Sequence, residues 1–543
     1  MTGADRVLPE REGVTPDVSL IKTLIERAES APHHVFVIDI DDHTLSYRET
    51  VDQIAVWAGA YRRFGVADGE HVVTMQLNTI DSMLGWLGLA ALRAVEAPIN
   101  IDYRGSLLTH ALNLTRARVM LVLEQYAERL IPIAGDLEYL QRVIVLDVDN
   151  PPQLPFEVTT GAEFLHEVEP IADLGRPAPW DIMSILFTSG TTGPSKAVRL
   201  PWAQIHAMAT GTFLLEDLGP EDVIYNPGPT YHVGAKVFPY MAALVGGRHV
   251  MRPFISTSVL SDEYLKYGVT TGGPVMAWLA QPARNDDRDR PLRNILTPYK
   301  LPRAEEFAER FGCRRIGCFN MTEVSCPIRF SGWDACVYDD EGRMSCGVIR
   351  EGFEARVVDE YDQPVESGEV GELILRSHVP WTMTAGYLNN PEATAEAWRN
   401  GWFHTGDGFI CDADGNYYFI DRLKDCIRRR GENISSFEVE AYVIEHPGIS
   451  ETAAVAVKAS EEPGADEEIK LIAVLAEGET LDAAELIRWL IPRMPRFMIP
   501  RYVEFVDELP RTPTLKVRKK LLRNGALNRR TWDREVAGIE LPR

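Results

Sequence analysis

Residues 185–198 read ILFTSGTTGPSKAV. The apolar start reads as a buried strand, and it empties into Thr188, Ser189, Gly190, Thr191, Thr192, Gly193, Pro194, Ser195 and Lys196. Glycines let a backbone approach an anion closely and turn its N–H groups toward it. The hydroxyls of Thr188, Ser189, Thr191 and Thr192 add donors, and Lys196 adds a positive charge. Together these are what a polyphosphate requires. The spacing differs from the G-x-x-x-x-G-K-[ST] loop, because Pro194 and Ser195 separate Gly193 from the lysine. A bare GTTG would read as a solvated turn; the full run behind an apolar strand favours phosphate.

A loop of this kind needs a rigid sheet beneath it. From Ser19 to about Leu130, helical and strand patterns alternate. Residues 48–64 carry apolar side chains at Val51, Ile54, Trp57, Ala58 and Tyr61, a helical spacing that stops at Gly65. Residues 72–77, Val119–Leu123 and residues 143–147 read as apolar strands. Such strands separated by helices predict a mainly parallel sheet covered on both faces. A second α/β section runs from about Ile182 to Ile328. After Ser345, short strands between turn residues predict a β-rich subdomain, with Asp414-Gly415-Asn416 as a hairpin turn. Past Arg422, residues 435–446 read as a helix with Ser435 and Glu438 spaced as a capping box, followed by strands, a helix and a basic tail. The expected fold is α/β. A large N-terminal domain, residues 1–422, holds two mainly parallel α/β subdomains and a small β-rich one. A small α+β domain, residues 423–543, follows.

Composition narrows the function classes. The 543 residues carry 80 acidic and 56 basic side chains, a net charge of −24. That field repels nucleic acid and anionic membrane faces, so neither is expected as a partner. The most apolar early stretch, residues 83–92, is broken by Arg93 and Glu96 and has about half the length a bilayer requires. The seven cysteines form no CxxC pair and begin only at Cys313, the usage of a reducing compartment. The first residues carry no apolar signal core. A cytoplasmic protein is expected, with a homodimer as one arrangement open to it. No HExxH or Cys/His cluster suggests zinc.

Residues 185–198 resemble the AMP-binding signature of the adenylate-forming superfamily, which includes acyl-CoA synthetases, peptide-synthetase adenylation domains and luciferases. Further elements follow in the family's order. Tyr231-His232 in NPGPTYHVGAK is similar to its acyl-pocket segment, and Phe319-Asn320-Met321-Thr322-Glu323 to its YGMTE element. Gly371-Glu372-Leu373, Gly386-Tyr387 and Asn390-Pro391-Glu392 resemble GEL, GY and PE. Residues 401–408 carry TGD; residues 421–425 and 431–434 resemble DRxKD and GENI; residues 510–522 resemble the terminal lysine motif. The resemblance spans about residues 20 to 525.

Activating a carboxylate with ATP brings two anions together, so the site must supply cations and oriented donors. The resemblance implies that Thr188, Ser189, Gly190, Thr191, Thr192, Gly193 and Lys196 hold phosphates. Glu323, with Thr188, would bind Mg²⁺ through hard oxygen donors. Thr322 would touch the α-phosphate, and Phe319, beside Asn320, would stack on adenine. Asp407 would accept the ribose hydroxyls and Arg422 would clamp ribose or phosphate. Lys516 would bridge carboxylate and α-phosphate, a role for a mobile ammonium on a long stem. Lys424 would be the hinge about which a mobile C-terminal domain swings, and Gly431 to Asn433 would line the coenzyme A channel. Arg428, Arg429 and Arg430 would meet coenzyme A phosphates or form a solvated charge run. Tyr231, His232, Gly234, Tyr299 and Lys300 would line the acyl pocket, with His232 also catalytic.

The sequence departs from the pattern in places. Leu515 stands where the family usually has glycine, and Lys519 and Lys520 stand close to Lys516, with PRTPT fixing the motif's register on Lys516. Residues 294–301, NILTPYKL, replace a glycine-rich segment, and Asn320 replaces a glycine. With RRRGENISSFEVE and PIN-x-x-YRG, these features resemble the crotonobetaine/carnitine-CoA ligase-like branch. The implied activity is ATP-dependent adenylation of a small or polar acid followed by thioester formation with coenzyme A. Another acceptor stays open: a carrier protein, or an amine attacking activated nitrite. A catalytically dead scaffold is a third reading, opposed by Glu323, Asp407 and Lys516.

Overall fold

The computed structural model describes residues 15–188, 196–254, 256, 258–297, 303–422, 427–429, 432–434, 436–458, 467–494, 498–511, 516–524 and 527–541. Among the described residues, the long N-terminal part rests on three sheets of seven strands. The first has the order Glu157–Thr160, Arg142–Leu146, Val119–Leu123, His71–Met75, Val95–Pro98, Ile182–Thr188, Lys196–Pro201. Its pairs are parallel except the last. Val119–Leu123 is buried at every position, which explains why it is apolar throughout rather than alternating.

The second sheet has the order Arg314–Ile316, Asn294–Leu296, Thr271–Gly272, Val223–Asn226, Arg248–Met251, Val35–Asp39, Thr44–Ser46 and is likewise parallel up to its final hairpin. The third, Cys318–Met321, Ser325–Arg329, Gly347–Ile349, Asn416–Arg422, Phe403–Cys411, Gly371–Ser377, Phe353–Val358, is antiparallel throughout.

Helices pack between and around these sheets. Tyr47–Arg63 starts at Ser46 with a reciprocal Ser46–Glu49 capping box. It lies against Ile80–Ala91 at Gly88, where a Cβ would stand 2.8 Å from the Cβ of Trp57. The apolar stretch 83–92 is thus mostly a buried helix of this core. Among the described residues no helix is long and apolar enough to cross a membrane.

Two sequence expectations need correction. The α/β sections are not contiguous blocks: the hairpin Val35–Asp39/Thr44–Ser46 joins the second sheet, while Ile182–Thr188 and Lys196–Pro201 complete the first. Apolar alternation reveals a strand's existence, whereas its neighbour depends on long-range edge pairing. The antiparallel unit also begins earlier than Ser345, at Cys318. That first hairpin is short and its register shifts between Phe319 and Met321, which hides its period.

The C-terminal part has its own core, including Val439, Val443, Ile469, Leu486 and Ile499. Ile449–Lys458 pairs antiparallel with Glu467–Leu475, which pairs parallel with Tyr502–Phe505. Helix Ser436–Ile444 packs beside this sheet.

Candidate functional site

In open parallel sheets the usable crevice lies beyond the C-terminal strand ends, where strand order reverses. Here both large sheets reverse near one place, at His71–Met75 and at Val223–Asn226. Two hydrogen bonds tie these ends together. Thr230 Oγ1 donates to the Gln76 carbonyl at 3.0 Å, and Asn78 Nδ2 to the Asn226 carbonyl at 3.3 Å. The turn after Val223–Asn226 carries Tyr231 and His232, whose rings meet edge-on with centroids 5.2 Å apart. Burial and the neighbouring Asp102 push the Tyr231 phenol up to about 12. Gly234 opens the next helix, Gly234–Val245, and a Cβ there would lie 3.6 Å from the Phe238 ring.

The phosphate-type loop leaves the first sheet nearby. Thr188 and Lys196 pair across its base, and Thr188 Oγ1 donates to the Lys196 carbonyl at 3.3 Å. The loop between them, with Ser189, Gly190, Thr191, Thr192 and Gly193, lies outside the described residues. Lys196 Nζ stands 4.7 Å from the centre of the Tyr387 ring, and the Tyr387 hydroxyl donates to Glu323 Oε1 at 3.2 Å. Tyr387 therefore joins the loop base to the carboxylate expected at a metal. The GY pair can sit there because Gly386 has φ +95° and a Cβ would lie 2.8 Å from Thr394 Cγ2. Glu323 is buried.

Phe319 lies on the first strand of the third sheet, and Thr322 in the turn that follows it. The Thr322 carbonyl accepts from Gln204 Nε2 at 2.7 Å. Phe319 is 3% exposed, its ring edge-on to Phe409 at 5.0 Å, so the adenine-stacking expectation meets a ring already enclosed by protein. Asn320, next to it, is the exposed residue of that strand.

Asp407 is 2% exposed on strand Phe403–Cys411, directly across from Arg422. The turn before it is braced from the neighbouring strand. Glu372 accepts the Gly406 N–H at 2.9 Å, faces His404 Nδ1 at 2.9 Å and pairs with Arg399 at 3.0 Å. Thr405 Oγ1 accepts the Asp407 N–H at 3.1 Å and donates to the Leu373 carbonyl at 2.7 Å. Sequence reading noted Glu372 only as part of a motif; its bracing role has no periodic signal.

Burial holds the His232 imidazole below its ordinary value, and the charge of Lys516 presses it further down. Lys516 is exposed, whereas Lys519 is buried and paired with Glu440 at 2.8 Å. That difference sets Lys516 apart from Lys519, while Lys520 is exposed as Lys516 is. Arg429 is neither solvated nor open to a phosphate: it is buried against Glu468 at 2.7 Å and donates to the Ile499 carbonyl at 3.1 Å. Lys424, Arg430, Gly431, Tyr299, Lys300 and Ser435 lie outside the described residues.

No group of three or more His, Cys, Asp or Glu side chains able to hold a metal occurs among the described residues. Glu323 and the Thr188 hydroxyl are each hard oxygen donors, the donor class that Mg²⁺ takes.

Comparison with known proteins agrees along nearly the whole chain. Residues 24–388 match the model of the AMP-binding enzyme family, and residues 438–516 that of the AMP-binding enzyme C-terminal domain. The chain is 30% identical over 493 residues to a crotonobetaine/carnitine–CoA ligase of Shigella sonnei, covering 88% of this chain and 93% of the relative. Its fold is similar to that of an anthranilate CoA ligase in complex with anthranoyl-AMP, with a TM-score of 0.79 and 23% identity over 99% of this chain and all of the other. It is also similar to an o-succinylbenzoate coenzyme A synthetase from Bacillus subtilis in complex with ATP and magnesium ion. That TM-score is 0.76, with 21% identity over 92% and 98% of the two chains.

Proposed function

The chain belongs to the AMP-binding enzyme family, and on that premise we propose that it is an ATP-dependent, AMP-forming acid–CoA ligase. It joins a carboxylic acid to AMP with release of pyrophosphate, then passes the acyl group to coenzyme A. The observation that carries the assignment of residues is the row Lys196–Tyr387–Glu323, which sets the base of the phosphate-type loop beside a buried carboxylate. An exposed tail ammonium beside the mouth of a crevice fits the meeting of two anions, a carboxylate and an α-phosphate.

The other roles follow from placement. Thr188 and Lys196 fasten the base of the phosphate loop, and Lys196 and Glu323 share Tyr387, so cationic and metal-binding groups are set to one spacing. When bound, Mg²⁺ would be held by Glu323 and Thr188 and would offset phosphate charge. Asp407 offers its carboxylate from a braced turn for the ribose, with Arg422 opposite. His232, kept neutral by burial and Lys516, lines the acyl mouth with Tyr231 and Gly234 without adding a second cation. The domain boundary is placed between residues 422 and 423, with Lys424 as hinge and Arg430 and Gly431 toward coenzyme A. Tyr299 and Lys300, in place of a glycine-rich segment, favour a small or polar acid. Relatives named for crotonobetaine and carnitine support that choice, and the reducing cytoplasm is the setting that suits the free thiols.

The test is pyrophosphate release over a panel of crotonobetaine, carnitine, benzoate and straight-chain acids from two to sixteen carbons, with and without coenzyme A, followed by mass spectrometry. Release of pyrophosphate with an acyl-CoA product from a short or polar acid is expected. ADP as the nucleotide product would contradict the reaction, and a best substrate of twelve or more carbons would contradict the pocket.

A further inference from the structure

Lys519 stands three residues beyond Lys516 at the start of helix Lys519–Asn524, and its environment is the opposite one. Its ammonium pairs with Glu440 at 2.8 Å, donates to Ser436 Oγ and lies 4.5 Å from the centre of the Phe437 ring. Glu440 is fixed in turn by the Ala454 N–H at 2.7 Å. Burial raises the Glu440 carboxyl and Lys519 pulls it back down.

Ser436 begins helix Ser436–Ile444 of the C-terminal part. Both its N–H and its hydroxyl donate to Asp421 Oδ2, the N–H at 2.7 Å. Asp421 is 1% exposed and belongs to strand Asn416–Arg422 of the third sheet, on the other side of the boundary. From the same strand Phe419 faces Phe437, ring centroids 6.1 Å apart. A continuous chain of contacts, with Asp421, Ser436 and Lys519 buried and Glu440 half-buried, therefore runs from the large domain to the segment that carries Lys516. The lead-in to that segment is pinned too: Arg511 and Val517 form a bridge, and the Arg518 N–H donates to the Pro510 carbonyl at 2.7 Å.

We propose that Asp421, Ser436, Lys519 and Glu440 form an interdomain latch that holds the small domain in the posture bringing Lys516 to the site. Asp421 and Lys519 are then positioning residues for adenylation. This rests on the reading of Lys516 given above. A swing about the boundary moves Ser436 relative to Asp421 and must strain or break their bonds. Hydrogen bonds to a buried charge are among the stronger ones, so loss of one should shift the population of postures about tenfold.

The test separates the half-reactions in Asp421→Ala, Lys519→Gln and Lys519→Arg variants. The first is acid-dependent exchange of pyrophosphate into ATP, with crotonobetaine or the fastest acid of the panel as probe. The second is coenzyme A-dependent consumption of the supplied adenylate. Asp421→Ala and Lys519→Gln are expected to slow the first about tenfold and leave the second within about twofold, with partial recovery in Lys519→Arg. Amide hydrogen exchange without ligand should rise at 436–444 and 516–524 but not at 403–411. Equal loss of both half-reactions with exchange raised throughout the C-terminal part would overturn the latch, as would no change at all. Lys516→Ala run alongside distinguishes the failures. If it is inactive in adenylation while the latch variants are normal, the latch alone fails. If it is itself active, the role of the tail lysine fails, and the latch is judged by exchange at 436–444, where no change overturns it.

Discussion

The turn that carries Asp407 and the tail that carries Lys516 are both short segments that present one charged group, yet they are built in opposite ways. Asp407 is almost fully buried and the residues before it are fastened by Glu372, Thr405, His404 and Arg399. Lys516 is exposed and gains its direction from Lys519 three residues on. In the proposed reaction Asp407 binds the same ribose through both half-reactions, and such a group gains from being locked. A group needed for one half-reaction alone must be deliverable, so its fixed point is displaced to a neighbour. Lys236 extends the contrast inside the large domain: it is a lysine locked completely, buried with its ammonium on Glu96 and 4.3 Å from the Trp86 ring centre.

Variants can break or sharpen this contrast. Lys236→Ala leaves the Glu96 carboxyl in the core without its cation and should cost about 3–5 kcal/mol in denaturant unfolding, with much of it recovered in Lys236→Met combined with Glu96→Gln. A loss below about 1 kcal/mol would show that the core does not depend on the Lys236–Glu96 pair. Lys516→Ala should cost little stability but lower acid-dependent pyrophosphate exchange by about 10²–10³-fold while largely sparing transfer from a supplied adenylate. Equal loss in both half-reactions would erase the distinction between fixed and delivered groups. Glu372→Gln loosens the Asp407 turn and should raise KM for ATP about tenfold with kcat nearly unchanged. A fall in kcat at constant KM would place Glu372 in the delivered class instead.

Much of this was legible in the sequence, for reasons that can be named. The strand Val119–Leu123 announces itself by its apolar run, and the helix Tyr47–Arg63 by an apolar period that stops at Gly65. The phosphate-type loop, TGD turn and tail lysine announce themselves by residue types that few other uses require together. Pairing across the chain did not announce itself: nothing local says that Val35–Asp39 lies beside Arg248–Met251 rather than with the first sheet. Nor did the supporting bonds. Tyr387 between Lys196 and Glu323, Glu372 under Gly406 and Lys519 on Glu440 join residues tens of positions apart or more. Arg429 fits neither reading of its run, phosphate contact or solvated charge, because Glu468, far along the chain, stands opposite it.

The central claim is that the tail ammonium sits close enough to His232 to act at the same anions, and the imidazole itself reports on this. With its value held below the ordinary one, His232 stays neutral as pH falls through the range where an unfolded chain takes up its proton, so this residue makes folding stability decline toward acid. Removing the positive charge of Lys516 should relieve part of that depression. The direct measurement is an NMR pH titration of the His232 ring protons, assigned with His232→Gln, in the unaltered protein and in Lys516→Ala. An upward move of the His232 midpoint in the variant is the expected result; identical midpoints in the two proteins would contradict the account.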